Sequence, residues 1–563
     1  MKSTIHKIYF LGIISLSVAA VVSCSDDDLQ SESNDPMRMF TPLSLSVENF
    51  ETESRVMWKA SLYTEDINET YTAEVSTDSL FANPKDIILS KKTDSASVVL
   101  TDQEIPVRKN YFVRVKTNTY ENRPESYWSL SKRIKIVGIQ ILHPVYEPNV
   151  SANQATLSWD ITPEVTQLRF QPYTQVSGQE PVYIGDPIVS NITANEASSG
   201  TKTVDGLSPN TRYIAEIYKG NTSVGSQTLR TKPSTNFSLI VSPTDDLITI
   251  INNAPDGAVI GLNPGTYNTG DKLITINGKA ITLASTSGNS SNTKIAFKEF
   301  TLNNTGAGLQ LKNLELDGTI NNAAYLINLT SGNNNADKAN FGNVLIENCI
   351  VHGVSTSAFR ANRGPNSGYA MDKFEIKYSV FKNFAVSSYG FLHLDKLVFN
   401  EVNIDNSTFT EIGDLFIRYR ESITTPSANA TINVNNCTIN SIGFSQTYPL
   451  LDNFNVPIKF NFTNNILANT PRVGGSLSDN SLIRIATNST AVFSFNNFYN
   501  LTNGKASDLK KLTLPSTGVT NTNNQEQPLN WTNTTIDFKL PTNSPLRTAS
   551  STGGAIGDSR WWN

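Results

Sequence analysis

The sequence predicts an all-β chain in which two small β-sandwiches precede a long solenoid of stacked parallel strands. Three observations carry this reading. Hydrophobic residues make up 38% of the 563 positions and charged residues only 17%, with Asn, Ser and Thr abundant. That mixture is poor in helix formers and rich in strand and turn formers. A Trp-then-Tyr layout occurs twice before residue 232, and beyond residue 340 an apolar pattern recurs at steps of 28 to 32 residues. A chain of this length exceeds one core, so several domains are expected. The formal net charge of -5 argues against a nucleic-acid partner, which selects a basic face.

The first 23 residues read as a processing segment. Lys2 and Lys7 flank the start of the apolar run "IYFLGIISLSVAAVV", and small residues lead to Ser23-Cys24. Charge, short apolar region and small residues before a cut fit a secretory signal. "VVSC" resembles a bacterial lipobox, which implies cleavage before Cys24 and lipidation of that residue. "SDDD" at Ser25 to Asp28 resembles the acidic export tag of Bacteroidetes surface lipoproteins, implying an outer-membrane, surface-exposed location. The same run also reads as a solvated tether over residues 24–37. No other run is long and apolar enough to span a bilayer, so a lipid anchor is expected to be the only membrane contact.

Residues 38–136 and 137–232 share one layout. The first has "SRVMWKA" around Trp58 and "NYFVRVKT" around Tyr111; the second has "ATLSWDI" around Trp159, "LSPNTRYIAEI" with Tyr213, then "SQTLRTKP". A buried Trp on an early strand and a Tyr opening a late strand are features of small β-sandwiches. Both segments resemble fibronectin type III domains, which implies spacers, with sugar binding left open.

Residues 233–505 read as the solenoid. "TDDLITIINNAPDGAVIGLNPGTY" opens with Thr244 as N-cap candidate, and Leu247, Ile248, Ile250 and Ile251 form a short apolar helix face. Asp256-Gly257 and Pro264-Gly265 then turn the chain around the strand "AVIGL". This order resembles the capping helix and first coil of right-handed parallel β-helices of the pectate lyase type. Cys349, Ser379, Ser407, Cys437, Asn465 and Asn497 form one column, at steps of 30, 28, 28, 28 and 32 residues. Apolar residues stand five and three positions before each member, Ser494 being the exception, and Asn directly before, except for Tyr378. Such a repeat describes solenoid coils. The Asn column resembles the stacked asparagine ladder of β-helices, which implies amides bonded along the axis. Cys349 and Cys437 share a column three coils apart, at ~14 Å, too far for a disulfide. Residues 506–563 read as a closing cap, with Trp561 and Trp562 covering the open end.

A β-helix offers a shallow face suited to a polymer. Outward cations follow each Asn corner: Arg360 and Arg363; His393 and Lys396; Arg418 and Arg420 with Tyr419 between them; and Arg484, with Asp452 on the coil before it. Such groups suit an acidic polysaccharide, because Arg grips carboxylates bidentately and aromatic rings support sugar faces. A solvated ladder of alternating charge, with Asp452 paired to a neighbouring Arg, is the other reading. "LDKLVFNEVNIDNSTFTEIGDLFIRYR" resembles the active-site coil of the chondroitinase B and alginate lyase group. The resemblance implies Lys396 as the base that takes the C5 proton of a uronate and Arg418 as the group assisting the leaving oxygen. Arg420, Arg363, Arg360, His393 and Tyr419 then bind substrate. Tyr419 and Arg420 stand where that group has His and Gly, and the acidic residues that hold Ca²⁺ there are missing. No metal-ligand cluster or cofactor motif is visible, although a weakly held Ca²⁺ stays open. His352 reads as a surface residue. The expectation is a monomeric surface lipoprotein engaging a uronate-containing, pectin-like polysaccharide, either as a β-eliminating lyase or as a glycan-binding protein of a polysaccharide-utilisation system. An adhesin is the third reading.

Overall fold

The computed structural model describes residues 37–62, 64, 67–176, 181–366, 368–421 and 430–562. The lipidation candidate Cys24, the signal segment and most of the tether lie outside them. The chain divides after Gly138 into two compact units. No helix among the described residues is long and apolar enough to cross a membrane.

The first unit is a sandwich of a three-stranded sheet (Leu43–Asn49, Glu53–Lys59, Ser97–Thr101) and a four-stranded one (Ile87–Thr93, Tyr71–Ser76, Tyr111–Thr117, Lys132–Ile134). This three-plus-four arrangement is that of a fibronectin type III-like domain. Alternation along each strand sends one side chain in two to the core, where Trp58 meets Tyr71 edge-on at 5.2 Å. The second unit opens with a similar sandwich around Trp159, Phe170 and Tyr213. Its Tyr213 hydroxyl accepts the Ser208 backbone N–H at 2.8 Å, fixing the turn that "LSPNTRY" signals.

The rest of the second unit is a parallel β-solenoid of three sheets. The first sheet runs from Leu239–Val241 to Val519–Thr522, the second from Gly265–Asn268 to Asn497–Leu501, and the third from Ile274–Asn277 to Ile483–Arg484. Coils therefore continue past residue 505. The helix Leu247–Asn253 covers the first coil with Leu247 and Ile251. Its N-cap is Asp246 rather than Thr244, because the Asp246 carboxylate reaches the N–H groups of Ile248 and Thr249 at 3.1 and 3.2 Å.

In six successive coils one residue turns the first sheet into the second, and it is left-handed: Asn348, Tyr378, Asn406, Asn436, Asn464 and Phe495 have φ between 45° and 58°. Asn tolerates this conformation better than most side chains. The corner Asn column is therefore mainly a backbone device, although Asn348 does donate to Asn313 at 2.7 Å. Axial bonding falls to the next column, where the Ser and Asn side chains accept the backbone N–H of the coil before. Ser379 accepts from Cys349 at 3.1 Å, and Asn465 from Cys437 at 2.8 Å. In the next coil that place belongs to Asn496, which accepts from Asn465 at 2.8 Å, not to Asn497. The shift by one puts Phe493 opposite Phe462 and removes Ser494 as an exception. Replacing Asn436 by Ala is expected to lower stability by about 1 kcal/mol, and by Gly less, in thermal or urea melts.

Cys349 and Cys437 are buried free thiols. The tail takes a different course from the one expected. Leu529, Trp531, Phe538, Leu540 and Ile556 cover Ile466 and Ala468, which point outward from the second sheet. Trp561 donates from Nε1 to Thr408 Oγ1 at 2.7 Å, and Trp562 stands edge-on to Tyr146 of the second sandwich at 5.1 Å. An apolar strip on the flank needs covering, so both tryptophans lie along the side and not over the end. Tyr378, the one Tyr among the corner residues, donates from its hydroxyl to Glu147 at 2.6 Å and so ties the same sandwich to the solenoid.

Candidate functional site

Hydrogen-bonded register on the third sheet aligns Asn328, Arg360, His393, Arg418, Asp452 and Arg484, one per coil. Four coil steps from Arg360 to Arg484 span ~19 Å at ~4.8 Å each. The residues alternate with interior positions, so the column faces outward. For the same reason Tyr419 is not a sugar-binding residue: it is fully buried, and its hydroxyl donates to the Leu397 carbonyl at 2.7 Å. Period two sends Arg418 and Arg420 to one side of the strand and Tyr419 to the other.

Two buried carboxylates organise the cations. Asp395 accepts from Arg418 Nε at 2.8 Å and from the Arg420 backbone N–H at 2.6 Å, and pairs with His393 Nε2 at 3.2 Å. Asp452 accepts from both Arg420 and Arg484, the latter through Nε at 2.8 Å. The acids are almost fully enclosed, whereas the arginine side chains keep 20 to 30% of their surface. Each guanidinium is thus oriented by a group below it and offers its remaining N–H groups outward. Aromatic rings flank the row. Arg360 lies over Tyr325 and Tyr389, at 4.8 and 5.5 Å, and Arg484 over Tyr448 and Phe454, at 4.9 and 4.5 Å.

His393 lies beneath Tyr389, with ring centroids 4.6 Å apart, and its Nδ1 has no partner. It acts from below the surface, and does not reach a polymer as the sequence reading expects. Burial pushes its pKa down, outweighing Asp395, and Arg418 and Arg360 add to the depression. Burial alone would raise the Asp395 carboxyl, but the His393 hydrogen bond, the Arg420 amide and the Arg418 charge hold it at about 2. A histidine depressed in the folded state stabilises the fold above its unfolded pKa, and that contribution is lost as pH falls below ~6.5. The melting temperature is therefore expected to drop across that window, and His393→Gln to flatten the drop. Asp395 adds its own loss only at lower pH, from ~3.9 down toward its folded value.

Lys396, three residues beyond His393, takes a left-handed turn with φ 65°. Its Nζ donates to the Gly364 carbonyl at 3.0 Å, on the loop of the preceding coil. Arg363 of that loop reaches Asn328 at 3.4 Å. Lys396 and Arg418 thus stand on consecutive coils, each already engaged by the protein. The sequence reading overlooked the role of Asp395 and the aromatic flanks. Tyr389 and Tyr448 each precede the column residue of their coil by four positions, a signal open to the same repeat reasoning.

On the second sheet, Glu315, Asp317 and His352 bring three donor atoms within 4.8 Å of one another, so they could hold a cation. The Lys294 ammonium already sits 2.9 Å from Glu315 and supplies positive charge there. These residues lie on successive coils, which is why spacing along the chain did not join them, and His352 is mostly enclosed at 16% exposure.

The model of a domain of unknown function, DUF4957, matches residues 265–411. That stretch includes Arg360, His393 and Lys396 but stops before Arg418. A comparison with curated proteins finds no match. Among solved structures, the chicken CNTN1 FN1–FN3 domains are similar at 16% identity and TM-score 0.16, over 35% of this chain and 69% of that one. The two fibronectin type III domain segment from chicken tenascin is similar at 19% identity and TM-score 0.17, over 34% of this chain and 99% of that one.

Proposed function

We propose that the chain is a Bacteroidetes-type surface lipoprotein whose solenoid, of the pectate lyase type, binds an acidic, uronate-containing polysaccharide along the outer face of its third sheet. The carrying observation is the outward row of Arg360, Arg418, Arg420 and Arg484, the last three oriented by buried Asp395 and Asp452, with aromatic rings flanking Arg360 and Arg484. A solvated charge ladder has no need to bury its acids and leave its cations at the surface. Here the arrangement presents preorganised guanidinium forks to an anionic partner. The coil step is ~4.8 Å, close to the length of one sugar ring with its link, and Arg360, Arg418 and Arg484 stand on alternate coils, so a polymer lying along the axis meets a cation at about every second ring.

β-Elimination is the second reading, favoured by Lys396 and Arg418 meeting the third-sheet surface on consecutive coils. It requires Lys396 to leave the Gly364 carbonyl and become the proton acceptor for C5, with a guanidinium neutralising the uronate carboxylate. One preparation tests both. Retardation in a polygalacturonate affinity gel, without ultraviolet absorbance from unsaturated products, supports binding alone; rising absorbance supports the lyase. Migration unchanged by any uronate polymer overturns the proposal.

A further inference from the structure

A second groove lies on the first sheet, well apart from the arginine row. Its volume is about 910 Å³, its floor is the outer face of consecutive coils, and one wall is the tail around Ser551, Thr552 and Trp562. Register places Glu375, Asn403, Asn433 and Asn461 in one outward column. Asn433 donates to Asn403 at 2.7 Å, and Asn461 donates to Asn433 at 2.8 Å. Each link uses one N–H and one oxygen lone pair, so the amides keep further donors and acceptors for a ligand. Asn464 pins the wall: it accepts the Ser551 backbone N–H at 2.9 Å and donates to Ser551 Oγ at 3.3 Å.

The charges here cancel within the groove. Lys377 pairs with Glu375 at 2.8 Å, and Lys373 lies 3.7 Å from the same carboxylate. A uronate chain would meet Glu375 and Asp405 with no unpaired cation to receive it. Hydroxyl groups, which both donate and accept, match a floor of amides. We propose that this groove binds a neutral, linear glycan through Asn403, Asn433 and Asn461, with Trp562 at its wall. The chain would then hold two chemically different polysaccharides on two faces, and this site stands or falls independently of the acidic one.

The test is calorimetry with cello-, xylo-, manno- and galacto-oligosaccharides against the full mature chain and its Asn433→Val/Asn461→Val variant. At least one neutral probe should bind, and the variant should weaken it by about tenfold or more, with polygalacturonate retention unchanged. Hydroxyl-radical footprinting of the unmodified chain decides the matter if the variant fails to fold. The neutral probe should protect Trp562 and leave Tyr389 and Phe454 reactive. Absence of binding by every neutral probe, unchanged affinity in a folded variant, or protection at Tyr389 instead of Trp562 overturns the proposal.

Discussion

Replacing both Arg420 and Arg484 by Ala is expected to lower stability by about 4 kcal/mol, well above the sum of the two single changes. Either arginine alone still leaves Asp452 a cationic partner, so each single variant should lose about 1 kcal/mol. The double variant leaves a carboxylate with a 2% exposed side chain facing no charge. Adding Asp452→Leu should then recover most of the loss, because the cost arises from the orphaned buried charge and not from absent guanidinium contacts. Urea denaturation of the four variants checks this. Additive losses, or no rescue by leucine, would show that Asp452 is hydrated in place.

Replacing both Arg360 and Arg363 by Ala is expected to weaken retention of polygalacturonate by about a hundredfold while leaving the melting temperature nearly unchanged. A charge-assisted contact contributes ~1.5–3 kcal/mol, and two at the low end of that range give that factor. These two arginines hold no buried carboxylate: Arg360 bonds Asn362 at 3.2 Å and Arg363 bonds Asn328 at 3.4 Å. They therefore separate recognition from folding, which Arg418 cannot do, since it neutralises Asp395. Residual binding should also fall as salt rises, because the pairing is at a partly exposed surface. Equal retention of wild type and variant in an affinity gel would remove the third sheet from the account.

Much of the fold could be read because periodicity is dictated by backbone geometry. The apolar positions before Cys349, Ser379, Ser407 and Cys437 pair across coils as the repeat implies. The misplacement at Asn497 arose where Asn496 and Asn497 adjoin and side-chain identity could not choose between them. Only the left-handed Phe495, an unusual residue for that conformation, marks the true corner. The candidate site was legible as a set of cations with Asp452 paired to a neighbouring Arg, but the links through Asp395 were not. Arg418 and Asp395 are 23 residues apart, and Arg484 and Asp452 are 32 apart, so their pairing follows from stacking. Tyr419 shows the opposite failing: its neighbours' chemistry suggested a role that strand alternation denies it.

The tail bears on how the molecule reaches its native state. A solenoid whose coils touch only their neighbours can in principle grow one step at a time from any seed. Here Thr408 must wait for Trp561, a contact spanning 153 residues, and Tyr146 must wait for Trp562. Contacts between residues so far apart in sequence are expected to form late, once the intervening coils exist. A clasp of this kind is expected to make assembly a two-stage event, with elongation first and locking second. Until the lock closes, Ile466 and Ala468 present a bare apolar strip, a vulnerable interval during which a nascent copy can stick to another.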